Sequence, residues 1–196
     1  MLEFSHASDT DQRVGEASVS LDGEREHVRS RETNLGNLVT DLYRDMTHAD
    51  VALQNGGGIR SSIPKGTVTY RDVQQAFPFN NTIVVLRLTG QELMDVLNRA
   101  ASLPRPAGGF LQVSGVSFEI YANRVRNAKV NDVPIDLKKI YSVATNDFIA
   151  NGGDGFEMLK DKEKFDTGFI ISGALKNYFQ TKVSVVPTSE GRILIR

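Results

Sequence analysis

Two segments carry apolar residues at the spacing of an amphipathic helix. The first follows Thr33 and forms one continuous stripe. Its apolar positions are Leu35, Leu38, Val39, Leu42, Tyr43 and Met46. The second follows Thr89-Gly-Gln-Glu92, where threonine and glutamate three residues apart predict a capping box, and Pro104 and Pro106 end that helix. A further helix is predicted at about 168–181.

Runs of alternating or continuous apolar residues predict strands between these helices. Residues 15–21 alternate and end at a turn, residues 50–53 lead into glycines, and residues 82–88 have the β-branched composition of a buried strand. Further candidates are 116–121, 125–130, 139–145, 183–186 and 192–195. Because helices and strands mix irregularly, the pattern predicts an α+β fold, a single domain with a mixed β-sheet packed against helices.

Composition narrows the class of protein. The chain has 196 residues, 40% of them hydrophobic, which suits one domain with a sizeable core. Its net charge of −1 without a basic stripe argues against nucleic acid as partner, and the absence of cysteine excludes disulfides and thiolate chemistry. No signal peptide and no membrane span are predicted. The polar residues 1–13 are predicted to be a linker or a disordered start, followed by a domain over 14–196.

A glycine-rich loop follows the strand predicted at 50–53. It reads Asn55-Gly-Gly-Gly-Ile-Arg60 and lacks the spacing of an ATPase phosphate loop. Successive glycines allow backbone N–H groups to approach a ligand closely, and Arg60 offers a fork of donors to phosphate or ribose oxygens. The alternative is a glycine-rich strand exit with a surface arginine.

Three other loops carry side chains that suit ligand binding. Phe77 and Phe79 flank a proline, and serve either as a core wedge or, for one of them, as a stacking plate for a base. In the loop 146–156, Asp154 lies between glycines and either accepts from ribose hydroxyls or closes an Asx turn. The charge run 25–32 is typical of a solvated face.

The sequence contains no recognisable catalytic or metal-binding set. His6, His27 and His48 share no metal-ligand spacing, and no dense cluster of Asp and Glu accompanies them. No G-x-S-x-G motif is found either. We therefore predict no catalytic residue, no metal ligand and no cofactor in this chain.

Read in order, the loops resemble the C-terminal domain of 5'-nucleotidases. The segments that carry this resemblance are Glu32-Thr-Asn34-Leu-Gly36-Asn37-Leu, Asn55-Gly-Gly-Gly-Ile-Arg60, Phe77-Pro78-Phe79-Asn80-Asn81 and Phe148-Ile-Ala-Asn151-Gly-Gly-Asp154-Gly-Phe156. They occur in the family's order and at similar spacing, and the resemblance covers about residues 14–196.

The resemblance implies a set of substrate-binding residues. These are Arg25, Arg29, Asn55, Gly58, Arg60, Phe79, Asn81, Gly108, Phe148 and Asp154. Phe79 and Phe148 match the phenylalanines that sandwich the base, and Asp154 matches the acid that accepts from ribose hydroxyls. Arg29 and Arg60 match arginines that reach ribose or phosphate oxygens. Arg25 matches a further basic residue, and Asn55 and Gly58 match the rim of the base pocket. Asn81 matches a polar neighbour of the first phenylalanine, and Gly108 matches a glycine near the ribose.

The resemblance also implies what this chain lacks. In the family an N-terminal calcineurin-like domain of the same polypeptide holds two divalent metal ions and hydrolyses nucleotides to nucleoside and phosphate. We therefore expect the isolated chain to be inactive, and the full-length protein to be extracellular, cell-wall bound or periplasmic. Alternatives are the same domain from a 2',3'-cyclic nucleotide phosphodiesterase or UDP-sugar hydrolase, or a stand-alone nucleotide-binding module.

Overall fold

The computed structural model describes residues 9–182 and 184–196. Within them the helices are α1 Arg25–Val28, α2 Asn34–Thr47, α3 Tyr70–Ala76, α4 Gly90–Ser102, α5 Asp147–Ala150 and α6 Ile171–Thr181. The strands are β1 Arg13–Ala17, β2 Val51–Asn55, β3 Gly66–Thr69, β4 Thr82–Thr89, β5 Leu111–Ser114, β6 Val116–Tyr121, β7 Arg124–Val130, β8 Val133–Pro134, β9 Ile140–Asn146, β10 Lys164–Ile170 and β11 Ile193–Ile195. Short 3-10 helices lie at Asp9–Asp11, Gly56–Gly58, Gly153–Gly155 and Glu157–Leu159.

A five-stranded sheet forms the centre of the fold, in the order β10-β4-β9-β2-β5. Strands β2 and β9 are parallel, and the other neighbours are antiparallel. A two-stranded sheet pairs β1 with β3, and a four-stranded sheet has the order β11-β6-β7-β8. The mixed sheet and its packing against helices confirm the predicted α+β class.

Alternate residues of the central strands pack into two separate hydrophobic clusters. Val51 and Leu53 of β2 join the cluster formed with α4, whereas Ala52 between them joins the cluster formed with α2 and α6. Successive side chains of a strand point to opposite faces of the sheet. The helices therefore cover both faces, with α4 on one and α2 and α6 on the other.

The predicted helix starts are confirmed at α2 and α4. The Thr33 side chain accepts a hydrogen bond from the Gly36 N–H and caps α2. At α4, Thr89 and Glu92 form the reciprocal capping box that their spacing predicts. Helix α3 was missed by the apolar pattern although it begins with the same device, in which Thr69 and Asp72 form a capping box.

Some predicted boundaries are wrong. Residues 168–170, predicted to be helical, belong to β10, because Ile170 pairs with Thr82 of β4 and Gly168 has a φ of 73°, which an α-helix does not allow. The strand predicted at 15–21 begins earlier and ends at Ala17, and Leu21 forms only an isolated bridge.

Two predictions concern residues that the structure describes only in part. The strand predicted at 183–186 includes residue 183, which lies outside the described residues, while Val185 forms an isolated bridge to Ala17. Of the predicted linker, residues 1–8 lie outside as well, and Arg13 already begins β1. The domain limits stay a prediction.

The sheet topology brings the loops of interest to one edge. Asn55, the last residue of β2, pairs with Leu111, the first residue of β5. Asn146, the last residue of β9, pairs with Ile83 near the start of β4. The segments after β2 and β9 and those before β4 and β5 therefore meet at the same end of the sheet.

Candidate functional site

A cavity of about 530 Å³ lies at this end of the sheet. Its lining residues are Arg29, Asn55, Gly57, Gly58, Arg60, Phe79, Asn81, Gly108, Phe148 and Asp154. This volume falls within the usual range of small-molecule sites. All the substrate-binding residues expected from the sequence line this cavity except Arg25. Gly57 also lines it and was not among the expected residues.

The two aromatic side chains of the cavity are half exposed. Phe79 and Phe148 are 46% and 45% exposed, whereas Phe77 is 3% exposed and packs in the core. The two interpretations of the Phe-Pro-Phe segment thus apply to different residues, since Phe77 is the core wedge and Phe79 faces the cavity. The Arg60 guanidinium carbon lies 5.9 Å from the Phe79 ring centroid, a cation–π distance.

Helix α5 and a glycine turn hold the Phe148 ring. Asn146 caps α5 by accepting a hydrogen bond from the Ile149 N–H at 2.9 Å. The ring then lies directly against Gly153, where a Cβ atom would come within 2.5 Å of Cε1. Glycine at position 153 therefore gives the ring its place in the cavity wall.

The Asp154 carboxylate faces across the cavity rather than back into its own turn. Asp154 adopts a left-handed φ of 54°, and its Oδ2 accepts a hydrogen bond from Asn55 Nδ2 at 2.7 Å. Gly57 and Gly108 lie close to Oδ2, since a Cβ on either would be within about 3.3 Å of it. Among the described residues no protein donor forms a hydrogen bond with Oδ1.

Arginines concentrate positive charge on one side of the cavity. Burial lowers the pKa of Arg29, and the positive charges of Arg25 and Arg60 lower this pKa further. In the described part of the chain the buried Arg29 Nε has no hydrogen-bond partner. Arg25 is exposed on α1 and outside the wall, so it contributes only its charge. The cluster favours an anionic group between Arg29 and Arg60.

The glycine run does not present its amides as expected. The Gly56 N–H donates to Phe110 O at 2.7 Å, and the Gly57 N–H donates to Gly108 O at 2.8 Å. These two groups tie the loop to the segment before β5 and are not free for a ligand. The expectation that successive backbone N–H groups approach the ligand is therefore wrong for Gly56 and Gly57.

Polar residues behind the cavity escaped the sequence analysis. Gln54 and Asn146 are buried and hydrogen-bonded to one another and to Asn55. Asn81 is linked to α5, because its Nδ2 donates to Asp147 Oδ1 at 2.6 Å. The sequence does contain a signal for the cap of α5. It is Asn146 at the last position of the buried strand β9, followed directly by Asp147 and Phe148.

The cavity does not fit a metal centre. Asp154 supplies the one carboxylate among the described residues that line it. Across residues 9–182 and 184–196, no three His, Cys, Asp or Glu side chains are grouped so that they could hold a metal ion. No helix in those ranges is both long and apolar enough to cross a membrane.

Comparison with known proteins identifies the family of this fold and cavity. The family model described as 5'-nucleotidase, C-terminal domain, matches residues 13–161. The chain belongs to this family. The crystal structure of the 5'-nucleotidase precursor from Thermus thermophilus superposes with a TM-score of 0.88 at 44% identity, covering 94% of this chain and 39% of that one.

Curated relatives of this 5'-nucleotidase C-terminal domain are much longer proteins. Protein UshA of Escherichia coli is 38% identical over 169 residues, which cover 86% of this chain and 31% of UshA. The trifunctional nucleotide phosphoesterase protein YfkN of Bacillus subtilis is 38% identical over a gapped alignment of 202 positions, which covers 93% of this chain and 14% of YfkN. The chain therefore spans less than a third of the length of these relatives.

Proposed function

We propose that this domain binds the nucleoside part of a nucleotide and so serves as the substrate-recognition domain of a 5'-nucleotidase-type phosphohydrolase. One observation carries the proposal. The same cavity wall holds two half-exposed phenylalanine rings, a carboxylate with one unpartnered oxygen, and two arginines. The phenylalanine rings suit a base, the carboxylate suits a ribose, and the arginines suit a phosphate.

Each group contributes a different part of the recognition. A base stacked on an aromatic side chain gains about 1–3 kcal/mol with little discrimination among bases. The Asp154 carboxylate accepts from ribose hydroxyls and favours ribonucleotides over deoxyribonucleotides. Arg29 and Arg60 neutralise part of the phosphate charge without cleaving the ester.

Hydrolysis itself falls to a part of the full-length protein outside this domain. We propose that an N-terminal calcineurin-like domain of the same polypeptide holds two divalent metal ions, whose chemistry there would be to polarise the phosphoryl group and to lower the pKa of a bound water. The length of UshA beyond the matched region supports this. Binding energy from base and ribose then positions the phosphate for attack. An extracellular, cell-wall or periplasmic location of the full-length protein stays a prediction.

A second candidate reaction is hydrolysis of a related phosphoester, such as a 2',3'-cyclic nucleotide or a UDP-sugar. The similarity to a protein named as a trifunctional nucleotide phosphoesterase favours this breadth. All of these substrates share the base and ribose that the cavity fits, and differ at the phosphate end. The gene sequence upstream of Met1 separates the enzyme hypotheses from a stand-alone binding module, since only the former need a metallophosphoesterase domain there.

Calorimetry tests the proposal directly. The isolated chain in EDTA should bind adenosine and AMP with a dissociation constant between about 1 µM and 1 mM, or roughly −8 to −4 kcal/mol. Asp154→Asn should weaken adenosine about tenfold or more, because a hydrogen bond to a charged group contributes roughly 1.5–3 kcal/mol, and should change 2',3'-dideoxyadenosine little.

The control is the same pair of ligands on wild-type protein. Absence of adenosine binding would refute the proposed function. Equal weakening of both ligands by Asp154→Asn would remove Asp154 from the ribose site. Metal-dependent release of phosphate by the purified chain would place catalysis inside this domain and contradict the division of labour.

A further inference from the structure

A buried ladder of side-chain amides lies behind the cavity, at the ends of β2 and β9. It consists of Gln54, Asn55 and Asn146, with the Tyr43 hydroxyl at its inner end. We propose that Asn146, which does not line the cavity, is a positioning residue that holds the base-stacking ring and the ribose-binding carboxylate in one fixed arrangement. The inference rests on the proposed function.

One side of the Asn146 amide controls Phe148. Its Oδ1 accepts the hydrogen bond from the Ile149 N–H that caps α5. Helix α5 spans only Asp147–Ala150, so a single cap orients a large part of its backbone. Phe148 lies between the cap and its partner, and the direction of its side chain therefore follows from this hydrogen bond.

The other side of the same amide reaches Asp154 through Asn55. Asn146 Nδ2 donates to Asn55 Oδ1 at 2.9 Å and to Gln54 Oε1 at 3.1 Å. With its oxygen so engaged, Asn55 turns its own Nδ2 towards Asp154 and donates at 2.7 Å. Asn146 thus contacts neither the base nor the ribose. It fixes Phe148, which stacks on the base, and Asp154, which binds the ribose.

The direction of every hydrogen bond in the ladder is determined by its ends. The Ile149 N–H can only donate, so it selects the oxygen of Asn146, and the Asp154 carboxylate oxygen accepts, so it selects the nitrogen of Asn55. The inner amide groups then meet as donor and acceptor without conflict. Each amide satisfies all of its partners in one orientation only. Reversal of the Asn146 amide or of the Asn55 amide breaks at least two hydrogen bonds.

Burial makes this orientation costly to change. Gln54, Asn55 and Asn146 are all buried, and a polar group that loses its partner there cannot be compensated by water. At the inner end Tyr43 donates to Gln54 Oε1 at 2.7 Å, and burial raises the pKa of its hydroxyl well above the ordinary value, so it remains a donor. Gly58 leaves room for the ladder, since a Cβ there would lie 2.3 Å from Gln54 Nε2.

Some substitutions at Asn146 preserve the cap of α5, and these variants separate the two roles of the residue. Asn146→Asp and Asn146→Ser both retain an oxygen that can cap α5, and both lose the amide donor to Asn55. Asn55 Oδ1 then keeps only the longer hydrogen bond from Gln54 Nε2, at 3.1 Å, so the Asn55 amide is held less firmly towards Asp154. We expect the affinity for adenosine to fall about tenfold, the effect of losing a hydrogen bond to a charged group, while the affinity for 2',3'-dideoxyadenosine changes less than about twofold.

Thr145→Val is the matched control. Thr145 is the preceding residue of β9, equally buried, and its hydroxyl has no hydrogen-bond partner in the described part of the chain. The substitution should leave the ratio of the two affinities unchanged. Should Asn146→Asp fail to fold because it buries a charge, Asn146→Ser gives the same comparison without adding one.

Calorimetry with the two ligands and a thermal melt of each variant decide the matter. A lower melting temperature with an unchanged affinity ratio would mean that Asn146 only stabilises the fold, and would overturn the inference. Failure of the wild-type chain to bind adenosine would instead refute the proposed function. The two failures are therefore distinguished by the wild-type measurement.

Discussion

Truncation of the phenylalanines near the cavity should separate ligand binding from folding. Phe148 and Phe79 are about half exposed and Phe77 is buried. Full burial of such a side chain contributes about 1.5–3 kcal/mol, so Phe148→Ala should cost only about 1 kcal/mol of stability, or roughly 2–4 °C in Tm for a chain of this size. Phe77→Ala should cost about 3–5 kcal/mol because it leaves a cavity, or roughly 6–20 °C.

The effect on ligand binding should be the reverse. Removing one stacking partner costs about 1–3 kcal/mol, so Phe148→Ala and Phe79→Ala should each weaken adenosine by roughly tenfold or more, and Phe77→Ala should leave the affinity of the folded fraction nearly unchanged. Thermal melts and calorimetry on the three variants measure both quantities. Loss of stability at Phe148 as large as that at Phe77, with adenosine binding intact, would show that Phe148 is a core residue and that no base stacks on it.

Two further substitutions test the base and phosphate ends of the site. In Gly153→Ala the new Cβ would lie within 2.5 Å of the Phe148 ring and displace it. The affinity for adenosine should therefore fall about tenfold, the loss of one stacking contact, while the affinity for ribose 5-phosphate stays the same. Calorimetry that finds the adenosine affinity unchanged would contradict this ring position. Arg29→Met should lower the affinity for AMP about tenfold and leave the affinity for adenosine unchanged. In the wild type, rising salt should likewise weaken only AMP binding, because the electrostatic screening length shortens to about 3 Å at 1 M. A parallel loss for both ligands would argue against a phosphate near Arg29.

The fold was predictable where local signals and tertiary packing agree. The apolar stripe after Thr33 and the capping box at Thr89 predicted α2 and α4, because in each helix the buried apolar face follows directly after the cap. At 168–170 the apolar spacing indicated helix, but pairing with β4 makes these residues part of an edge strand. Helix α3 has seven residues, too few for a clear stripe, and only its cap identifies it.

The cavity residues were predictable from family resemblance, and their physical roles were only partly so. Periodicity cannot say that Phe77 is buried and Phe79 exposed, because both flank one proline; the difference arises from how the loop enters β4. Nor does a glycine run reveal that the Gly56 and Gly57 amides pair with the segment before β5. Hydrogen bonds between distant segments depend on the sheet order, which the sequence pattern did not specify.

The amide ladder shows how strand register enters recognition. Strands β2 and β9 are parallel, with Ala52 opposite Ala144, so both carboxyl ends reach the cavity and the amides of Gln54 and Asn146 come level. An antiparallel pair would send one of these ends to the opposite edge of the sheet. A slip of one residue would turn Asn146 to the other face, where it meets neither Asn55 nor Gln54. In the proposed function, the pairing of two buried strands thus sets the arrangement of the cavity residues, which lie at the ends of these strands and in the segments that follow them.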